Sequence, residues 1–231
     1  MSEFRHEYKY VSSLEKIELI KSSVQSIMDL DAHAGELGEY SVRSVYFDDY
    51  YDTCYYDNIN GTDPREKFRI RIYNANSSKI NLELKIKQKS KTKKLSCGLS
   101  KELCEEILGG NIPYINAIDS SLYRKFILQL QTRRLQPKII VEYDRIPYVY
   151  ADGNVRVTFD KNIRSSVQCA DFLQKELFFR PVMERGKHLM EVKFDEFLPD
   201  FIDCLVTNEE LKQDTFSKYF LCRKYSLGGM I

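Results

Sequence analysis

The sequence predicts an α+β fold built on about eight antiparallel strands, each polar on one face and apolar on the other, with helices covering the apolar side. Three features of the chain require it. Residues 65–87, REKFRIRIYNANSSKINLELKIK, hold two runs of strict alternation. Lys67, Arg69, Arg71 and Tyr73 alternate with Phe68, Ile70 and Ile72; then Asn81, Glu83, Lys85 and Lys87 alternate with Ile80, Leu82, Leu84 and Ile86. A period of two sends successive side chains to opposite faces of a strand. Other stretches repeat the charged stripe: Glu7 with Lys9, Lys94, Arg145, Arg156 with Asp160, and Glu191 with Lys193. Helical patterns at 13–29, 120–131 and the C-terminus supply apolar cover.

Composition narrows the class. The chain has 231 residues, enough for one domain spanning 1–231 with a sizeable core. With 43% hydrophobic and 30% charged residues it reads as a soluble globular protein. A net charge of +1 argues against a generally basic nucleic-acid binder, though charge can still cluster locally. The six cysteines are scattered without a CxxC, and the three histidines are far apart, so neither a zinc site, a disulfide framework nor a histidine triad is indicated. The N-terminus is charged and no apolar run approaches ~18 residues, so the expected location is cytoplasmic, without signal peptide or membrane span.

In chain order, Phe4–Val11 reads as a strand, followed by a helix to about Leu30 opened by a Ser12–Glu15 capping box. Gly35 and Gly38 mark a loop, Tyr40–Asp49 a strand, and the Asp-Tyr-Tyr-Asp stretch a turn or short helix. Asn74–Ser78 is turn chemistry joining the two central strands as a hairpin. Lys85–Lys94 is lysine-rich. Lys89 and Lys91 are expected in solvent, and replacement of Lys87 or Lys89 is expected to change little. Thr92–Leu99 returns as a strand, bringing Lys93 or Lys94 beside Lys85. Helices follow at Lys101–Leu108 and Ser120–Gln131, the latter capped by Asp119 or Ser120. Ile139, Val141, Tyr143 and Arg145 share one strand face, with Pro147 as a bend or edge. Asp152-Gly153 is a hairpin turn into Asn154–Asp160. The stretch 160–185 shows no clear pattern. His188–Phe194 is a strand, with a short helix near Phe201 and a terminal helix from about Thr215.

Arginine, lysine and glutamate on one face of most strands are costly to bury in an apolar interior. Either every such face is wet, or the strands close into a barrel whose lumen is the polar site. About eight strands is the size at which a barrel interior holds its own side chains or one ligand. Arg-x-Arg facing Glu-x-Lys offers forks for phosphate oxygens and a carboxylate suited to a metal ion.

Over nearly its whole length the chain resembles the VTC (vacuolar transporter chaperone) domain, a polyphosphate polymerase of the triphosphate tunnel metalloenzyme fold. The resemblance rests on FRHEYKY, SVYFDD, FRIRIY, LELKIK, VEYDRIPY, NVRVTFD, LMEVKF and FSKY, in that order. It implies an eight-stranded antiparallel tunnel that takes the γ-phosphoryl of ATP with Mn²⁺ or Mg²⁺ and extends polyphosphate. It places the basic tunnel positions, catalytic and substrate-binding, on Lys9, Arg69, Arg71, Lys85, Arg145, Arg156 and Lys218. A further substrate-binding lysine falls at Lys94, with Lys93 as the alternative. The metal glutamate falls on Glu191, with Glu7 and Glu83 as further candidates. Arg5 replaces the first glutamate of the ExExK pattern of the wider superfamily, which favours the polymerase branch. The accessory SPX and membrane domains of eukaryotic relatives do not occur within the sequence, which implies a stand-alone, bacterial version whose product a separate membrane protein could receive.

Three functions remain open on the sequence: an ATP-dependent polyphosphate polymerase, a metal-dependent triphosphatase or short-polyphosphate hydrolase, and a non-catalytic polyanion binder, including a nucleic-acid module. The nucleic-acid variant calls for aromatic stacking platforms beside the basic residues. The tyrosines cluster instead at Tyr46–Tyr56, away from any basic stripe in the sequence.

Overall fold

The computed structural model describes residues 4–207 and 211–228. The strands are β1 His6–Ser13, β2 Asp29–Leu30, β3 Tyr40–Asp48, β4 Arg65–Tyr73, β5 Asn76–Gln88, β6 Lys91–Leu99, β7 Gln136–Tyr150, β8 Val155–Ser166, β9 Arg180–Pro181 and β10 Lys187–Phe194. The helices are α1 Leu14–Gln25, α2 Thr53–Ile59, α3 Lys101–Leu108, α4 Ser121–Thr132, α5 Asp200–Val206 and α6 Lys218–Ser226.

Eight strands form one antiparallel sheet in the order β1-β10-β8-β7-β3-β4-β5-β6, with β2 on β7 and β9 on β8. The sheet curls until its two edges meet. Arg5 and Thr92 exchange backbone hydrogen bonds of 2.8 Å in both directions, and Lys85 Nζ on β5 reaches Glu7 Oε2 on β1 at 2.6 Å.

The apolar parity faces outward, as expected. Phe68, Ile70, Ile72, Leu82 and Leu84 bury against α3 and α4 in one cluster. There Phe126 stacks edge-on against Phe47, ring centroids 5.0 Å apart, and lies 5.1 Å from Phe68. Tyr10, Val157, Phe159, Met190, Val192 and Phe194 bury against α1 and α5 in a second.

The C-terminal helix departs from the expected outer cover. Tyr219 and Cys222 of α6 bury with Val42, Tyr46, Val141 and Tyr143, which belong to the inward parity of β3 and β7. The helix therefore packs inside the curl. Tyr219 Oη donates to Asp48 Oδ2 at 2.6 Å and Arg223 grips Asp52 at 2.9 and 2.8 Å, which fixes α6 to the end of β3.

Local expectations are met unevenly. Asn74 and Ala75 both take positive φ, the requirement of a tight two-residue hairpin. Gly153 is needed between β7 and β8, because a Cβ there would come within 2.7 Å of the Phe197 carbonyl and its φ is 71°. Ser120 caps α4 by accepting from the Tyr123 N–H at 3.4 Å. Helix α1, however, stops at Gln25 rather than Leu30, and Ser13, not Ser12, is its N-cap. Ser12 is committed to the β1–β10 ladder opposite His188. Pro147 stays within β7, opposite Thr158. Its carbonyl accepts from Asp31 N, so its missing N–H lies on that same side, beyond the end of β3, where no long strand needs it. In the unreadable stretch β8 runs on to Ser166 after a bulge that puts Asn162 at φ 54°. The extra residue breaks the period of two, hiding the strand from pattern reading.

Candidate functional site

Cross-strand register brings cations and carboxylates together along the inward face. Lys9 stands opposite Glu191 and Glu7 opposite Lys193. Arg69 stands opposite both Tyr46 and Glu83, Lys85 opposite Lys67 and Lys94, and Arg145 opposite Asp160. All of these positions share one strand face, so curling the sheet turns a stripe of charge into the wall of a lumen.

Two cavities lie in the lumen among the described residues. The front one, about 390 Å³, is lined by Lys9, Lys67, Arg69, Arg71, Lys85, Arg145, Glu191 and Lys218 among others. The rear one, about 490 Å³, is lined by Tyr73, Asn74, Asn76, Lys79 and Asn81 at the other end of β4 and β5, with Glu83, Lys94 and Arg156. Of the residues expected to form the site, Lys9, Arg69, Arg71, Lys85, Arg145, Lys218, Glu7 and Glu191 thus meet around the front cavity, whereas Lys94, Arg156 and Glu83 meet around the rear. Lys94 rather than Lys93 faces inward: Lys94 Nζ lies 3.2 Å from Glu83 Oε1, while Lys93 sits over the Phe4 ring.

Glu7, Glu191, Glu83 and Asp160 are each held by more than one cation. Glu7 lies 2.6 Å from Lys85, 3.4 Å from Lys193 and 3.8 Å from Lys9. Glu191 lies 2.6 Å from Lys218, 2.9 Å from Lys193 and 3.5 Å from Arg145. Glu83 takes Arg69 at 2.6 Å and Arg71 at 3.7 Å. Asp160, fully buried, accepts two 2.7 Å bonds from Arg145 and lies 2.6 Å from Lys218. Burial alone would raise all four carboxyl groups, but the neighbouring cations outweigh it, holding Asp160 below its ordinary value and Glu7, Glu83 and Glu191 well below theirs. Burial pulls the Lys218 ammonium down, yet Asp160 and Glu191 raise it above its ordinary value. Burial pushes the Lys67 ammonium down to about 8.

Four features of the site lie outside the residues that the sequence assigns to it. Asp160 carries the same parity as Arg156, but its pairing with Arg145 depends on the β7–β8 register. Lys67 and Lys193 share the parities of Arg69 and Glu191. Lys87, whose replacement is expected to change little, also lines the front cavity. Tyr46 lies in the basic lumen, not apart from it: Arg69 donates to its hydroxyl at 3.0 Å, because β3 pairs Tyr46 with Arg69. Its ring is buried, leaving no face for a base to stack on.

The oxygen donors suit a divalent cation of the Mg²⁺ or Mn²⁺ kind, which is held by one or two carboxylates with substrate phosphates and water completing the shell. Glu7 and Glu191 contact the same Lys193 ammonium. The Thr158 hydroxyl, opposite Glu191 on β8, is buried without a hydrogen-bond partner among the described residues. Glu83 shares no cation with them. Among the described residues, no three His, Cys, Asp or Glu side chains gather as a ready-made metal cage.

Fold and site together define an antiparallel tunnel barrel whose lumen is lined by basic side chains. The chain belongs to the VTC domain family, whose model matches residues 4–227. Membership supports an activity on polyphosphate or triphosphate. Among solved structures, the chain is similar to a provisionally assigned adenylate cyclase from Bacillus halodurans, with a TM-score of 0.51 and 15% identity over 89% of this chain and 87% of that one. It is also similar to the PH1012 protein of Pyrococcus horikoshii OT3, with a TM-score of 0.51 and 11% identity over 94% and 98%. Both likenesses concern the fold. No curated protein sequence matches this one. Among the described residues, no helix is long and apolar enough to cross a membrane.

Proposed function

We propose that this chain is an ATP-dependent polyphosphate polymerase that transfers the γ-phosphoryl group of ATP to the end of a polyphosphate chain held in the lumen. The observation that carries the reading is the wall of the front cavity, where ten lysines and arginines face three carboxylates. A triphosphate brings about four negative charges, and each contact with a cation ~4 Å away is worth roughly 4 kcal/mol at an effective dielectric near 20. Several fixed cations are needed before such an anion leaves water.

Arg69, Arg71 and Arg145 offer guanidinium forks for pairs of non-bridging oxygens, and Arg156 does so from the rear. Lys9, Lys85, Lys94 and Lys218 act as point charges along the phosphate chain. Glu191, with Glu7 beside it, is the residue pair to hold Mn²⁺ or Mg²⁺; Glu83 is placed to serve the rear cavity instead. The ion, when bound, neutralises phosphate oxygens as charge shifts to the leaving group. In the transfer, an oxygen of the acceptor's terminal phosphate bonds to the γ-phosphorus, the bridge to the β-phosphate breaks, and ADP leaves with the electron pair.

Depressed carboxyl groups favour transfer over hydrolysis. A water nucleophile needs a base, and Glu7, Glu83, Asp160 and Glu191 are all neutralised by cations that weaken their basicity. A terminal phosphate is already an anionic nucleophile and needs none. The test is incubation with ATP and Mn²⁺ or Mg²⁺, followed by electrophoresis for polyphosphate and assay of ADP. A ladder of long chains with matching ADP is expected. Phosphate release without a ladder would make the protein a hydrolase, and no turnover would make it a binder.

A further inference from the structure

The two cavities share no lining residue, although both lie inside one curled sheet. Glu83 stands between them. Its side chain lines the rear cavity, while Arg69 and Arg71, which grip its Oε2, line the front. Its Oε1 is held from the rear by Lys94. One carboxylate therefore receives two guanidinium groups from the front and an ammonium from the rear, the donor set that a phosphate group would otherwise engage. The residue is 1% exposed, so both of its oxygens are committed to this bridge. A phosphate chain that fills the front cavity can occupy the outward sides of Arg69 and Arg71. To pass further it must replace the carboxylate or move past its charge.

We propose that Glu83 is a gate between the two cavities, an internal counter-anion that sets how long a phosphate chain the lumen accepts. The proposal rests on the lumen being a phosphate site. It gives Glu83 a different role from Glu7 and Glu191, with which it shares no cation. The rear chamber suits a passage rather than a tight seat. Beyond Lys79, Lys94 and Arg156 its wall is mostly neutral, with Tyr40, Tyr73, Asn74, Asn76, Asn81 and Ser96. A chain that advances there meets hydrogen-bonding groups and few cations, so it is held more weakly than at the front and can move on.

The experiment is binding, measured by calorimetry on the whole chain with tripolyphosphate and with long-chain polyphosphate, each with and without Mn²⁺. Glu83→Gln keeps the shape and removes the charge. It is expected to raise the affinity for long chains relative to tripolyphosphate by about tenfold, the effect of ~1.4 kcal/mol. Ser96→Asp tests the opposite direction at an exposed position opposite Glu83 on β6. A second carboxylate there is expected to lower the same ratio. The Ser96 variant also keeps the test open if loss of the buried Glu83 charge prevents folding. An unchanged ratio in the folded variants overturns the gate. An effect of Glu83→Gln that appears only with Mn²⁺ also overturns it and assigns Glu83 to the metal. Wild-type protein that binds neither probe overturns the phosphate reading itself, whereas wild-type protein that binds tripolyphosphate leaves the gate to be judged by the ratio alone.

Discussion

One residue apart on β4, two kinds of chemistry face opposite ways. Phe68, Ile70 and Ile72 turn outward to α3 and α4, where burial stabilises the fold. Arg69 and Arg71 turn inward, where each needs Glu83, Tyr46, Ser44 or Tyr143 to be tolerable at all. Buried ion pairs of this kind seldom contribute net stability, and well-packed apolar residues would serve stability as well or better. The apolar outward face is explained by folding, whereas the inward charges are the proposed seat of the phosphate ligand. Substitutions should therefore separate cleanly, outward ones through stability and inward ones through phosphate chemistry at a stable fold.

The largest effect is expected at Glu191. Glu191→Gln should lower turnover on the order of 10³-fold, the scale of removing one electrostatic group aimed at the transition state, while triphosphate binding persists. Steady-state assay beside calorimetry checks both; activity kept at the wild-type level would move the metal to Glu7. On the outward face, Phe126→Ala should cost about 3–5 kcal/mol of unfolding free energy, read from denaturant melts, with turnover per folded molecule unchanged. A specific loss of turnover there would erase the contrast between the faces. Arg71→Lys should weaken triphosphate binding by roughly tenfold although charge is kept, because a point charge replaces a fork. Equal affinity would show that Arg71 does not engage phosphate.

A smaller effect concerns pH. The ordinary lysine value of 10.5 falls to about 8 at Lys67, because burial disfavours its charge. As pH rises through about 8 the ammonium is lost in the folded protein, so triphosphate affinity should fall several-fold by roughly one unit above that midpoint. The sign for stability is opposite: below about 8 the fold bears the cost of a buried charge, and this cost fades between about 8 and 10.5. Lys67→Gln should flatten this part of the affinity profile; an unaltered slope would assign it elsewhere. Smallest of all, Lys89→Ala, at an exposed turn position with φ 48°, should shift stability and affinity by less than about 0.5 kcal/mol.

How much of this was legible in the sequence follows from what parity can report. A period of two assigns a face without any knowledge of partners, so Arg69, Arg71, Glu83, Lys85, Arg145, Arg156 and Glu191 could all be placed on one side. Parity also carries Tyr46 and Lys87 to that side, but a cluster of tyrosines and a run of lysines obscured them. It cannot report which strand lies beside which. The grip of Arg145 on Asp160 depends on the β7–β8 register, and that register shifts at a bulge just beyond Asp160. Nor does an amphipathic pattern in the last helix state whether its apolar side packs outside the sheet or inside the curl. Tyr219 to Asp48 and Arg223 to Asp52 decide that, across 171 residues of sequence. The division into front and rear cavities is likewise a property of three dimensions, since Glu83 and Lys85 sit two residues apart on one strand face yet line different chambers.

The most direct test of a phosphate-binding lumen is a crystal structure with a non-hydrolysable ATP analogue and Mn²⁺. The expected result places the triphosphate in the front cavity, its oxygens on Arg69, Arg71, Arg145 and Lys218, with Mn²⁺ on Glu191. A triphosphate bound on the outer surface, with the lumen ion pairs unchanged, would contradict it.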